Sequence, residues 1–568
     1  MRIRREKLTE ALRRGRTAAR RGAGREGPIV ETSHGPVQGK YADKKTMAVY
    51  LGIPYAAPPV GERRWAPPEA PASWTEVLSC TSHGPMAHQR AQNMDEFIAK
   101  LTEGLGLSPA RRKAAQAAIR LPRPTNEDCL SLTVRAPAKA ENLPVMVWIH
   151  GGDHTDGSSS EILYNSNALP ERGCVLVAIN YRLGLLGFFA HPELDAESDR
   201  GVSGNYGLLD QVAALEWVRD NIAAFGGDPS NVTIFGESAG GQAVLNLMTT
   251  PLAEGLFHKA IAQSPSDSGR WLHHHQSMLD FLPANDAGRR FADSAVGPEA
   301  GQLERLRAMP AKELYELYRA DTGLGRYFYP CVDGVVLPET PMTAFSNGRQ
   351  APVPLMIGYN ADEGSMFGDI MHPAGAEFEM PSFDRESLSP TDVRDALLRS
   401  HGSTEAVEAL LTAYPGLADG DHEAAVRHAG DHMFGVHVDH ATRRHAAEGH
   451  PVFRYHFRAV PPSPEQTAGA FHAAEILYVF GSKVPGFPVA DDGHLLEREM
   501  GDRWYAFAAT GDPAFPGRAE WPAYDPSDPV HMVFDRPTSG PQPCPSEPGL
   551  DRLRARIEHL NTHALVAD

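Results

Sequence analysis

The stretch Asn231-Val-Thr-Ile-Phe-Gly-Glu-Ser238-Ala-Gly-Gly241 constrains the fold more than any other. A short apolar run of β-forming residues ends in Gly-x-Ser-x-Gly and leads directly into a helix-competent segment, Gln242 to Met248. This order asks for a sharp strand-to-helix bend, with Gly236 and Gly240 leaving room for the two elements to approach each other. Such a bend lifts the Ser238 hydroxyl to its tip, where a base and a substrate can both reach it. The helix that starts there points backbone N–H groups at the same spot, making Ala239 a candidate oxyanion donor. In a chain rich in glycine the pentapeptide alone is weak evidence, and the flanking strand and helix give it weight.

The surrounding sequence repeats the same rhythm. Leu143 to His150 and Cys174 to Asn180 are nearly continuous apolar runs bounded by turn residues, as strands buried on both faces should be. Val212 to Phe225 has helical periodicity, and further strand-like runs follow at Phe257–Gln263, Val353–Asn360 and Val452–Phe457. The expected fold is α/β, a large, mostly parallel, twisted central sheet with helices on both faces. Pro28 to Trp74, where short apolar runs alternate with turns and prolines, predicts an antiparallel lead-in. Met94, Phe97, Ile98, Leu101 and Leu105 fall at helical spacing, and Ser108-Pro109 starts a second helix reaching about Arg120. The helical segments at about 90–122, 280–320 and 385–448 are expected to cap the sheet. Leu550, Leu553, Ile557 and Leu560 predict a final amphipathic helix packed on the body or, alternatively, against a second copy.

Charge narrows the partners. The net charge of −18 conceals ten Lys/Arg and three acidic residues within Met1–Glu26, a local +7 on a body of −25. An acidic body argues against nucleic acid, and the basic arm reads as a loosely ordered extension preceding one domain, 27–568. No apolar run suits a secretion signal or a membrane span. The five cysteines, Cys80, Cys129, Cys174, Cys331 and Cys544, show no C-x-x-C spacing, so neither a zinc site nor a disulfide scaffold is indicated and the expected compartment is cytoplasmic. His273-His274-His275 reads as a solvated loop, because consecutive residues do not converge on one ion from a helix face. No metal or cofactor is expected.

A serine nucleophile needs a histidine base, and that histidine needs a carboxylate to fix its tautomer. On a strand–turn–helix scaffold the chain order is Ser, then Asp/Glu, then His. The strand ending at Asn360 runs into Ala361-Asp362-Glu363-Gly364, which sets two carboxylates at a sheet edge, and either one suits the acid. Further on, His472 lies in Ala470-Phe-His-Ala-Ala-Glu475, one candidate base among 25 histidines. His150-Gly151-Gly152-Asp153 follows an early strand, where the second half of an oxyanion hole belongs.

Together these motifs resemble the type-B carboxylesterases, a family with the α/β-hydrolase fold that includes the cholinesterases and bile-salt lipases. The likeness runs from about Gly35 to Phe534. It rests also on Gly52-Ile-Pro-Tyr-Ala-Ala-Pro-Pro-Val-Gly61, Asn126-Glu-Asp-Cys-Leu130, Asn180-Tyr-Arg-Leu-Gly184, Gly204-Asn-Tyr-Gly-Leu-Leu-Asp-Gln211 and Gly511-Asp-Pro513. The resemblance implies Ser238 as nucleophile, Glu363 rather than Asp362 as acid, and His472 as base. It also implies Gly152, Asp153 and Ala239 as oxyanion donors, Ser264 as a serine near the histidine, and Arg64 with Glu127 as a buried ion pair. Trp271 and His154 become candidate pocket residues, and Glu237, beside the nucleophile, could raise the His472 pKa.

Three departures stand out. Asp153 replaces a usual glycine, so its carboxylate is expected to turn away from the hole, towards His154. The family's disulfide partner of Cys129 is Ala87 here. Phe97 is the only aromatic residue in the loop where cholinesterases stack a quaternary ammonium, so choline esters are not the expected substrate. The implied activity is hydrolysis of small to medium, mostly uncharged esters through an acyl-enzyme, with water as second substrate. Carbamate, amide or lactone bonds, or a silent binding module, are the alternatives. A monomer or a homodimer is expected, with activity rising through pH 6 to 7 as the histidine loses its proton.

Overall fold

The computed structural model describes residues 27–555, except 90–91, 120–123, 267–270, 278–281, 321–326, 367–393, 395–397, 399–402, 420, 489–491, 537 and 545–548. The basic arm therefore lies outside the described residues. Among the described residues eleven strands form the main sheet: β1 (Lys40–Ala42), β2 (Met47–Pro54), β3 (Ser131–Pro137), β4 (Leu143–Ile149), β5 (Val175–Ile179), β6 (Gly227–Glu237), β7 (Lys259–Gln263), β8 (Leu355–Asn360), β9 (Val452–Phe457), β10 (Val530–Phe534) and β11 (Gly540–Pro543). Their order is β11-β10-β9-β8-β7-β6-β4-β5-β3-β2-β1.

The centre, from β5 to β10, is parallel, and both margins are antiparallel. The antiparallel lead-in agrees with the sequence reading. The second margin, β11, was not legible, because Gly540-Pro-Gln-Pro543 has none of the usual strand formers; its prolines are at home only on an edge.

Residue alternation explains why the centre holds. In β4, Val145, Val147 and Ile149 enter the core on one face, while Met146 and Trp148 enter that on the other, all of them fully buried. The helix Tyr206–Asn221 is buried along most of its length, polar Asp210, Gln211 and Asn221 included. The predicted pair of helices appears as Gln92–Gly104 and Pro109–Ile119. Leu550 and Leu553 pack with Val407, Leu410 and Tyr414 on the body, whereas Ile557 and Leu560 lie outside the described residues.

Parallel strands present all their C-terminal ends at one edge of the sheet. Residues following β4, β6, β7, β8 and β9 therefore meet there, and these carry Gly152, Ser238, Ser264, Glu363 and His472.

Candidate active site

β6 ends at Glu237, and Ser238 turns the chain with φ 59° and ψ −124° into the helix Ala239–Thr249. A positive φ at a residue bearing a side chain costs on the order of 1–3 kcal/mol, so neighbours must hold it. The Ser238 N–H donates to Gln263 O at 3.0 Å, and Ser238 O accepts from Gln242 N–H at 2.9 Å. The flanking glycines are obligatory for steric reasons. A Cβ on Gly236 would stand 2.5 Å from Gly240 backbone, and one on Gly240 would stand 2.1 Å from Ile149 O at the end of β4. Ala239 is the first helical residue, so its N–H has no acceptor within the helix.

Glu363 Oε2 lies 2.6 Å from His472 Nδ1. Its other oxygen accepts from Ser264 Oγ at 2.5 Å and from Asn360 N–H at 2.7 Å. The side chain is 1% exposed and satisfied at both oxygens, so its orientation leaves no slack. Asp362, the alternative acid, instead accepts from Ala470 N–H at 2.7 Å and pins the loop that carries His472. Ser264 thus reaches the histidine through Glu363 rather than touching it. Behind them Glu475 accepts from Gln263 Nε2 at 2.9 Å and Asn360 Nδ2 at 2.6 Å, while Trp504 Nε1 donates to Gln263 Oε1 at 3.0 Å. This buried chain of bonds joins the ends of β7, β8 and the His472 loop.

Glu237 Oε1 stands 3.1 Å from His472 Nε2, yet that oxygen makes no aligned hydrogen bond among the described residues. The approach is therefore electrostatic rather than an aligned bond. Burial opposes charge on the imidazole, but the Glu237 and Glu363 carboxylates outweigh it and hold the His472 pKa up at about 9. Burial, aided by Glu475, Glu363 and Glu161, pushes the Glu237 carboxyl well above the usual range against the pull of His472. Ser238 Oγ makes no hydrogen bond among the described residues. Two aromatic rings frame the base: Phe434 stacks on His472 with centroids 4.7 Å apart at 28°, and Phe97 presents its edge at 6.4 Å.

The loop after β4 turns tightly, Gly152 O accepting from the N–H groups of Thr155 and Asp156 at 3.0 and 2.8 Å. Gly152, Asp153 and His154 all have positive φ, at 102°, 54° and 50°. The Asp153 carboxylate turns to Tyr329, whose hydroxyl donates to Oδ2 at 2.6 Å. It does not turn to His154 as the sequence suggested. His154 is 1% exposed and packs its ring edge-on to Tyr181 and Phe188, with Nε2 2.9 Å from Gln242 Oε1. Burial pulls its pKa down to about 4, which keeps the ring neutral within the packed loop. Trp271 likewise packs in the main core. The Arg64–Glu127 pair forms as expected, with two bonds of 2.6 and 2.8 Å. Cys129 is buried and unpaired, sharing a small cavity with Ala87.

Tyr329, Phe434, Gln263 and Asn360 escaped sequence reasoning. Only the run Tyr327-Phe-Tyr329-Pro hinted at an aromatic wall; Phe434 sits in a π-helical turn, Asp431–Gly435, that has no periodic signature.

The family model described as the carboxylesterase family matches residues 26–547. The chain belongs to the carboxylesterase family. A fumonisin B1 esterase of Sphingopyxis macrogoltabida is 34% identical to this carboxylesterase, over 88% of its length and 84% of the relative's. The para-nitrobenzyl esterase of Bacillus subtilis is 34% identical over 89% and 94%. A solved para-nitrobenzyl esterase structure superposes with a TM-score of 0.75 at 32% identity, covering 93% of this chain and 99% of that one. This carboxylesterase accordingly has the α/β-hydrolase fold and is a serine ester hydrolase. Among its described residues no helix is long and apolar enough to cross a membrane.

Proposed function

We propose that Ser238 is the nucleophile, His472 the general base and then the general acid, and Glu363 the carboxylate that fixes the imidazole tautomer. The observation that carries this reading is the 2.6 Å contact between Glu363 Oε2 and His472 Nδ1 beside the strained bend at Ser238. With Nδ1–H committed to Glu363, the basic lone pair lies on Nε2. Nε2 takes the Ser238 proton as Oγ attacks the ester carbonyl carbon. The N–H groups of Gly152, Asp153 and Ala239 hold the oxyanion, and Nε2–H then passes its proton to the departing alcohol. Water repeats the cycle on the acyl-enzyme, releasing the acid and restoring Ser238. Alignment of such hydrogen bonds is commonly completed in the substrate complex, which fits the electrostatic hold of Glu237 on Nε2.

Small to medium, mostly uncharged esters suit the acidic surroundings of the site, where four carboxylates, Glu161, Glu237, Glu363 and Glu475, act on one another electrostatically. The described parts of the segments 90–122, 280–320 and 385–448 act as caps; Phe97 and Phe434, one from the first and one from the third, reach His472 in support. Five cysteines, none in a disulfide among the described residues, favour a reducing, cytoplasmic setting.

Ser238→Ala tests the assignment. It should lower kcat on p-nitrophenyl esters by about 10⁴-fold or more with the fold intact by circular dichroism. A variant keeping most activity would refute the role of Ser238. Rates on acyl chains of increasing length then size the acyl pocket, and a strong preference for a charged acyl group would contradict the substrate class.

A further inference from the structure

The parallel ribbon Leu272–His273 with Cys331–Val332 lies outside the catalytic machinery and carries the triplet His273-His274-His275. The expected solvated loop holds for His275, which is exposed. It fails for His274, which is 2% exposed. His274 and His275 follow the strand in a bend, not on a helix, so neighbouring side chains can converge. His274 Nδ1 lies 2.9 Å from His275 Nε2, with the rings perpendicular at 89°.

On its far side, His274 Nε2 lies 3.1 Å from Asp195 Oδ1. Asp195 is held in turn by Ser203 Oγ at 2.6 Å and Asn285 Nδ2 at 2.5 Å. A carboxylate oxygen 3.1 Å away favours the His274 proton on Nε2 as its donor. The Ser203 N–H also reaches Nε2, at 3.3 Å, a longer approach than the 3.1 Å contact with Asp195. The Nδ1 lone pair then faces His275.

A carboxylate on one imidazole nitrogen, with the other nitrogen turned to a second ligand, is how proteins orient metal-binding histidines. The atoms of Asp195, His274 and His275 all lie within 4.8 Å of one another, the only such group of three among the described residues. We propose that His274 Nδ1 and His275 Nε2 bind a divalent ion of the late first transition row, such as Zn²⁺ or Ni²⁺, with Asp195 as the outer carboxylate. Two nitrogens 2.9 Å apart subtend about 90° at an ion roughly 2.05 Å from each, within reach of such coordination. Imidazole ligands select these metals over Mg²⁺ or Ca²⁺, and the exposed flank of His275 leaves the remaining positions to water. Two protein ligands give an affinity in the micromolar range rather than that of a closed structural site. Trp271 immediately precedes one ribbon strand, and Tyr329, the partner of Asp153, stands two residues before the other, so an ion here braces the chain that leads to the oxyanion loop.

Chelator-treated full-length protein is dialysed against Zn²⁺ or Ni²⁺, and bound metal is counted by mass spectrometry while thermal unfolding is followed in parallel. The expected result is one ion per chain at about 100 μM metal, with a rise in Tm. His275→Ala should weaken binding at least tenfold while leaving the metal-free Tm within about a degree, because the side chain is exposed. Asp195→Asn should weaken binding by about 10- to 100-fold. Absence of stoichiometric binding by the wild type at 1 mM metal, or a loss smaller than tenfold in His275→Ala, overturns the proposal.

Discussion

At the scale of single residues, the chemistry turns on how Glu237 and Asp153 are restrained. His472 acts as a base only when neutral, so kcat/KM should rise with pH through the raised value of about 9 and not at pH 6 to 7, where an unperturbed histidine would place it. The shift arises because burial is outweighed by two carboxylates, and His472 and Glu237 titrate as a pair. Glu237→Gln removes one of those charges and should move the acidic limb of the kcat/KM profile downwards by about one pH unit. A limb that stays in place would mean that Glu237 carries no charge in the active form. Asp153 gives a second test. Its carboxylate, tied to Tyr329 at 2.6 Å, is kept from opposing the oxyanion. Tyr329→Phe should therefore lower kcat by about tenfold, whereas Asp153→Gly should raise kcat/KM on simple esters and abolish the effect of the tyrosine change. Additive losses in the double variant would count against this coupling.

At the scale of elements, the strand ends and the turns that follow them were largely legible. Gly236 and Gly240 and the apolar runs of β4 to β9 announced themselves, because each is a local pattern with one steric reading, whereas Glu363 over Asp362 and His472 among 25 histidines came only from the family resemblance. What the sequence hid is non-local. Nothing near Phe434 signals that the π turn Asp431–Gly435 delivers its ring against His472, 38 positions later in the chain. Nor does the sequence show that Gln242 on the elbow helix claims His154. The stack makes Phe434 a positioning residue: Phe434→Leu keeps the apolar volume but loses the flat face. Its expected signature is a drop of about tenfold in kcat with little change in KM and a shifted pH limb, restored by Phe434→Tyr. A variant that loses only thermal stability would reduce Phe434 to core packing.

At the scale of the molecule, a buried carboxylate on the helix Val436–Ala447 gathers three cations and ties that helix to β9 and to the last described segment. Asp439, 3% exposed, meets Arg454 of β9 at 3.1 Å, Arg443 one helical turn away at 2.9 Å, and Arg554 of the last described segment. Burial raises the Asp439 pKa, the three guanidiniums more than offset it, and the net pKa is depressed. Stability from this group is therefore present above the unfolded carboxyl value, about pH 4, and is lost as pH falls through the lower folded value. Asp439→Asn should cost about 3–5 kcal/mol, because it strands the buried Arg454, and should flatten the acid limb of Tm against pH. An unchanged Tm would show that the three arginines do not depend on it.

All three scales converge on one hydroxyl. The most direct measurement is stoichiometric reaction with a fluorophosphonate ester, followed by peptide mass spectrometry. The account predicts one phosphonyl group per chain, on Ser238, with activity lost in proportion and no labelling of Ser238→Ala. No label, or a label on any other residue with Ser238 unmodified, would contradict it.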